Sequence, residues 1–165
     1  MSSSADKIKI RPLGLEDLRA IFLIDKEIRL AGKAVTYANV ATEDIFTIDR
    51  KVNHHKRPVS YIVGLLEFGF VAEIDDIVCG FILGEVIHIG EDAVAVGSVL
   101  ILGVHPDYRR VGIATELINA LCKKYQSKGI KLVRTVIDQR DQELLGFAEH
   151  LGFVVDHRVF YSKKL

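Results

Sequence analysis

The chain has 165 residues, 49% of them apolar, and its 22 Lys and Arg balance 22 Asp and Glu for a formal charge of zero. That length suits a single globular domain spanning residues 1–165, able to bury roughly 68–70% of its unfolded surface. The charge balance argues against nucleic acid and anionic membranes as partners, since both attract a surplus of Lys and Arg.

The Ser-rich start, Met1 to Asp6, has no apolar run behind a basic leader, and no stretch approaches ~18 uninterrupted apolar residues. A cytoplasmic protein is expected, with residues 1–6 flexible. Cys79 and Cys122 sit in apolar stretches. Two such cysteines make neither a disulfide framework nor a zinc cluster, which suits a reducing compartment.

Lys7 to Arg11 alternates charged and apolar residues before Pro12, which predicts a short strand with one buried face. From Leu15 to Leu30, Leu18, Ile21, Ile24 and Ile28 recur at helical spacing. Glu16 and Asp17 fall in the first turn, where the helix dipole favours negative charge. Thr42 opens a second helical pattern that runs toward His55 and should end at Arg57-Pro58. Three apolar, β-branched runs follow: Phe68 to Ile74, Ile77 to Ile89 and Ala93 to Val104, separated by short acidic turns. They predict an antiparallel meander.

Beyond Pro106, Ile113, Leu117, Leu121 and Tyr125 share one helical face, closed by Lys128-Gly129. Lys131 to Ile137 reads as a strand, Gln142 to Leu151 as a helix and Phe153 to Tyr161 as strand-like. The order β-α-α-β-β-β-α-β-α-β predicts an α/β or α+β fold, a mixed sheet with helices packed on it.

The stretch from Val99 to Ile118 carries the clearest chemistry. An apolar strand stops at Pro106, Arg109 and Arg110 follow, and Gly112 and Ala114 open a helix. Such a turn exposes the unpaired N–H groups of the helix start, about Val111 to Thr115, and small residues let an anion come close. Two arginines beside those amides suit a phosphate group. There is no Gly-Lys-Ser/Thr and no Gly-x-Gly-x-x-Gly, so neither common nucleotide loop applies. The turn alone equally admits a plain helix start with two solvated arginines.

Arg109-x-x-Gly112-x-Ala114, preceded by Leu102-Gly-Val-His-Pro-Asp-Tyr, resembles the acetyl-coenzyme A motif of the GNAT superfamily of N-acetyltransferases. Downstream, Asp141-Gln-Glu-Leu-Leu-Gly-Phe-Ala-Glu-His-Leu-Gly-Phe resembles that family's later helix. The resemblance covers Ile8 to Tyr161. It implies a central mixed, mostly antiparallel sheet flanked by about four helices, with a splayed strand pair that takes the cofactor.

The implied activity is direct transfer of an acetyl group from acetyl-coenzyme A to a primary amine of a small molecule or peptide, with no metal. Backbone groups of Leu102, Gly103 and Val104 would meet the pantetheine arm. Arg109, Arg110, Val111, Gly112, Ile113, Ala114 and Thr115 would hold the pyrophosphate. Asp141, Leu144, Leu145 and Phe147 would line the other side.

Three positions depart from the family pattern. Many relatives carry a glutamate on the strand before the turn, whereas Ser98 to Ile101 has no carboxylate. Glu85, on the adjoining strand among apolar residues, is the nearest candidate base; its alternative is a solvent-facing strand glutamate. His88 is a weaker candidate. Ala148 stands where the family's later helix often has a tyrosine to protonate the thiolate; Tyr108 and Tyr161 are possible substitutes. Asp141 replaces a common asparagine and can either cap its own helix or accept from a pantetheine N–H.

These departures also admit a non-catalytic acyl-coenzyme A binding or sensor domain of the same fold. His54-His55 lack a carboxylate or cysteine at ligand spacing and read as solvated. The acceptor site is expected along Ala31 to Val40 and the hairpins, where Glu27, Lys33, Tyr37, Glu73 and Glu85 specify no single amine. Homodimerisation through the apolar strands fits the pattern.

Overall fold

The alternating residues after Ile8 form strand β1, Lys9–Pro12, ending at the residue that has no N–H to give a ladder. A computed structural model describes residues 8–32, 64–159 and 161–165. The expected second helix from Thr42, the break at Arg57-Pro58, the pair His54-His55 and residues 1–6 lie outside the described residues.

Strands β2, Gly69–Ile74, β3, Ile77–Ile89, and β4, Val94–Val104, form the expected antiparallel meander. Asp75 and Asp76 both take left-handed φ, 50° and 62°, the geometry a tight two-residue hairpin turn requires. Strand β5, Val133–Thr135, joins β4 in parallel, so the sheet order is β1-β2-β3-β4-β5.

Helix α1, Leu18–Leu30, follows a 3-10 turn at Leu15–Asp17. It buries Ile21, Ile24 and Ile28 against Val71, Phe81, Leu83 and Ile101 on one face of the sheet. Helix α2, Ile113–Ser127, lays Ile113, Leu117, Leu121 and Tyr125 on the opposite face against Ala72, Cys79 and Ile82. Helix α3, Gln142–His150, adds Phe147 to the α2 side. The result is a mixed, mostly antiparallel sheet between helical layers.

Two expectations need correction. Phe153 to Tyr161 forms no strand in its described residues, and Val154, Val155, Val159 and Tyr161 are exposed. Alternation shows that a segment suits a sheet; it does not supply a partner edge. The strand expected over Lys131 to Ile137 shrinks to Val133–Thr135, because its pairing with β4 ends at Val99↔Thr135.

Candidate active site

The pairing of β3 with β4 slips where the site begins. Leu83 faces Ile101 and Gly84 faces Val99, so Leu100 is an extra residue with no partner, a β-bulge. Antiparallel residues alternate between facing the partner strand and facing away. Before the bulge, Gly97 and Val99 face β5: Gly97 N donates to Leu132 O at 2.9 Å, and Thr135 Oγ1 donates to Val99 O at 3.5 Å. After it the phase shifts by one. His105 N donates back to Cys79 O at 2.9 Å, which leaves Val104 and Leu102 facing away from β3.

On that side β5 has already ended, so among the described residues no strand pairs with the backbone of Leu102 and Val104 beside the splay. Gly103, between them, faces α1, where a Cβ would come within 2.7 Å of the Phe81 ring.

The chain then turns through a 3-10 segment, Pro106–Tyr108, capped by His105 Nδ1 accepting from Asp107 N at 3.1 Å. Arg109 is half-buried and donates from Nε to Val104 O at 3.4 Å. Arg110 and Gly112 both adopt left-handed φ, 64° and 90°. Gly112 is the N-cap of α2 and offers no side chain, so no cap bond occupies the first-turn N–H groups of Ile113, Ala114 and Thr115. A Cβ at Gly112 would meet nothing within 4 Å, so the space before the helix is open. The seven residues expected to hold a pyrophosphate are thus contiguous around one helix start.

The splay forms a cleft of about 1020 Å³. One wall is β4 from Val99 to Leu102, another is the end of β5 and the chain beyond it, from Thr135 to Asp138, and a third is α3 and its cap with Asp141, Leu144 and Phe147. Arg29 and Gly32, at the end of α1, border it as well. Leu145 is half-buried but turned from the lining, where Leu144 stands instead. Asp141 is the α3 cap, its Oδ1 accepting from Leu144 N at 3.0 Å. Ala148 is buried and contributes to the lining without any proton to give.

Glu85 is half-buried in β3, directly across from Ser98. Added Cβ atoms at Gly84 and Gly97 would point into α2, so Glu85 and Ser98 stand on the other face of the sheet, the α1 face. Arg29 and Gly32 border the cleft from that side, while Glu85 and Ser98 stand one residue behind Val99, outside its lining. Glu73 has a structural role instead: it is buried and held by Arg11 and Lys9. Of the possible proton donors, Tyr161 is 94% exposed, and Tyr108 packs edge-on against His105 at 5.8 Å.

Two features escaped the sequence reading, the Leu100 bulge and the seating of Tyr125. Tyr125 is fully buried, and burial pushes its phenol up, so it stays a donor; its hydroxyl binds the Ser98 and Glu85 carbonyls. The available signal was a pair of glycines inside strand patterns, which marks close approach by another group.

The model of the acetyltransferase (GNAT) family matches residues 39–153. An acetyltransferase of Yersinia pestis (strain Pestoides F) is 30% identical over 118 residues, 72% of each chain. One from Yersinia enterocolitica matches to the same extent. Among solved structures, an aminoglycoside N-acetyltransferase in complex with CoA superposes with a TM-score of 0.66 at 20% identity, covering 95% of this chain and 94% of that one. A ribosomal-protein-alanine N-acetyltransferase from Brucella melitensis biovar Abortus 2308 gives 0.62 at 19% identity, covering 95% and 99%.

Proposed function

Because the chain belongs to the acetyltransferase (GNAT) family, we propose that it acts as one catalytic unit that moves the acetyl group of acetyl-coenzyme A directly to a primary amine of a small molecule or peptide. The observation that carries this reading is the junction of β4 and α2. A strand edge at Leu102 and Val104, past the end of β5, leads into a helix start with no side-chain cap, open space at Gly112, and Arg109 and Arg110 immediately before it. That donor set is chemically suited to a pyrophosphate.

When bound, acetyl-coenzyme A supplies an acetyl group activated as a thioester. The amides from Val111 to Thr115, with Arg109 and Arg110, would hold its pyrophosphate. Leu102 and Val104 would offer backbone groups to the pantetheine arm as an added strand would, with Gly103 between them. Asp141, Leu144 and Phe147 would form the facing wall, with Leu145 packed behind it.

An alkylammonium with a pKa near 10.4 is neutral in on the order of one molecule per thousand at pH 7, so a base speeds attack. Glu85 takes that proton from the α1 face of the sheet. The neutral amine nitrogen would then bond to the acetyl carbon as the carbon–sulfur bond breaks, and the proton this nitrogen must still lose to become an amide would pass through water to the thiolate. Ala148 offers no proton to the departing thiolate, and water supplies it, because the parent thiol titrates near about 8.5. The aminoglycoside named for a structural neighbour makes a small compound with several amines the first acceptor to try. The two free cysteines support a reducing, cytoplasmic setting.

The test is release of free thiol from acetyl-coenzyme A in the presence of a polyamine, an amino acid, a lysine-containing peptide and an aminoglycoside, alongside calorimetric binding of coenzyme A. Thiol release with at least one amine is expected, and both Arg109→Glu and Gly112→Asp should weaken binding. Unchanged affinity in both variants overturns the cofactor site. Tight binding without thiol release on any amine overturns the transfer reaction.

A further inference from the structure

Tyr125 lies on the face of α2 that meets the sheet, about 18 Å along the helix from the pyrophosphate turn at 1.5 Å per residue. Its ring stacks on Phe68 with centroids 5.1 Å apart and planes inclined by 25°. Its hydroxyl lies 2.8 Å from Ser98 O and 3.0 Å from Glu85 O. Those carbonyls belong to residues that face each other across β4 and β3, so one hydroxyl ties both strands to α2 at a single rung.

The sheet is cleared for this contact. A side chain at Gly84 would run into the Tyr125 hydroxyl, and one at Gly97 would come within 2.7 Å of two of its ring carbons. Glycine inside a strand weakens it, and a buried hydroxyl must be desolvated before it is bonded. A phenylalanine against larger strand residues would fill the same volume without either cost. Stability alone therefore does not favour the arrangement.

Its position supplies a reason. The pinned rung lies one pair before the point where Leu100 bulges and β4 parts from β5. Glu85 and Ser98 stand on the α1 face of that rung, beside the opened end of β4. The same helix begins at the pyrophosphate turn, so one rigid element carries the cofactor cradle at one end and the pin at the other.

We propose that Tyr125 is a positioning residue: by holding the Glu85 and Ser98 carbonyls, its hydroxyl fixes the backbone of Glu85, and so the origin of its carboxylate, relative to the strand edge that presents the acetyl group. The role rests on Glu85 as the base proposed above. Without the hydroxyl, the ladder still closes and the cofactor still binds, but the carboxylate is no longer held at the distance that proton transfer needs.

The experiment combines Tyr125→Phe, Glu85→Gln and the double variant with Phe68→Leu as a packing control, assayed with acetyl-coenzyme A and whichever amine of the panel is acetylated fastest. Tyr125→Phe keeps the ring and its stacking. Circular dichroism and coenzyme A affinity should stay within twofold of wild type, while kcat falls about ten- to hundredfold at unchanged KM for acetyl-coenzyme A. Gly84→Ala, which crowds the hydroxyl from the strand side, should give a similar loss. Phe68→Leu should lower Tm without lowering kcat.

Added to Glu85→Gln, Tyr125→Phe should cost no further activity, because the two act in series. Wild-type kcat in Tyr125→Phe, or an equal loss in the Glu85→Gln background, overturns the positioning role. If Glu85→Gln is slow and Tyr125→Phe is not, the base assignment stands and only the positioning role falls. If Glu85→Gln turns over at the wild-type rate, the base assignment falls and takes the positioning role with it.

Discussion

Arg11 and Asp17 meet in a two-pronged ion pair, Nη1 to Oδ2 and Nη2 to Oδ1, each at 2.7 Å, with Asp17 buried. Asp17 Oδ2 also accepts from Gly14 N at 2.8 Å. Arg11 Nε reaches Glu73 Oε1 at 2.7 Å, so one guanidinium joins β1, β2 and the approach to α1. The Arg11 hydrogen bonds hold the Asp17 and Glu73 carboxyls below their ordinary range. A depressed carboxyl contributes stability that is fully present above the unfolded value near 4 and is lost as pH falls through the folded one. Urea midpoints should be flat near neutrality and fall below about pH 4. Asp17→Asn should cost about 1.5–3 kcal/mol at pH 7, the range for charge-assisted hydrogen bonds, since Arg11 keeps Glu73 but loses its two-pronged partner, and the gap to wild type should narrow in acid. A gap that is independent of pH would contradict this account.

Gly112→Ala isolates backbone geometry from crowding. The added methyl enters open space, but φ of 90° is left-handed and costs an L-residue roughly 1–2 kcal/mol. A modest fall in Tm and about tenfold weaker coenzyme A binding are expected as the helix start relaxes away from that conformation. Calorimetry measures the second effect; an unchanged Kd would detach Gly112 from the cradle.

Arg109 and Arg110 should differ in kind. Arg109 is half-buried and tied to the Val104 carbonyl, whereas Arg110 is exposed. Arg109→Gln should weaken coenzyme A binding more than Arg110→Gln. The contribution of Arg110 should shrink further between about 50 mM and 500 mM salt, because exposed charges are the more strongly screened. Titrations of both variants at the two ionic strengths check the ordering.

Asp141→Ala removes the cap bond to Leu144 N, at a cost of about 0.5–2 kcal/mol. The first turn of α3 should fray, displacing Leu144 from the cleft wall and raising KM for acetyl-coenzyme A with kcat little changed. Asp141→Asn keeps a capping oxygen and should restore wild-type KM. A failure of asparagine to rescue would mean that the charge, rather than the cap, matters.

Much of the scaffold was legible in the chain. The 3.6-residue spacing of Ile21, Ile24 and Ile28 and of Ile113, Leu117 and Leu121 marked two helices that do bury those faces. Hairpin positions followed from Asp75-Asp76 and Gly90, and the helix start at Gly112 from its place after Pro106. The outer end of the sheet departs from what periodicity predicts. Phe153 to Tyr161 has strand periodicity but no strand pairing in its described residues, and β5 stops where its neighbour departs.

The sequence by itself determined what is local: which segments are amphipathic and at what period, which residues turn the chain, and which short stretch opens a helix with a glycine just after two arginines. These properties depend on neighbours a few residues apart, and composition with spacing encodes them. Only the tertiary structure decided the rest: the Leu100 bulge that turns Leu102 and Val104 away from β3, the face on which Glu85 stands, and the seating of the Tyr125 hydroxyl between Gly84 and Gly97. Each depends on register between segments, where a shift of one residue exchanges the two faces of a strand. No single segment carries that information, because register is a property of pairing.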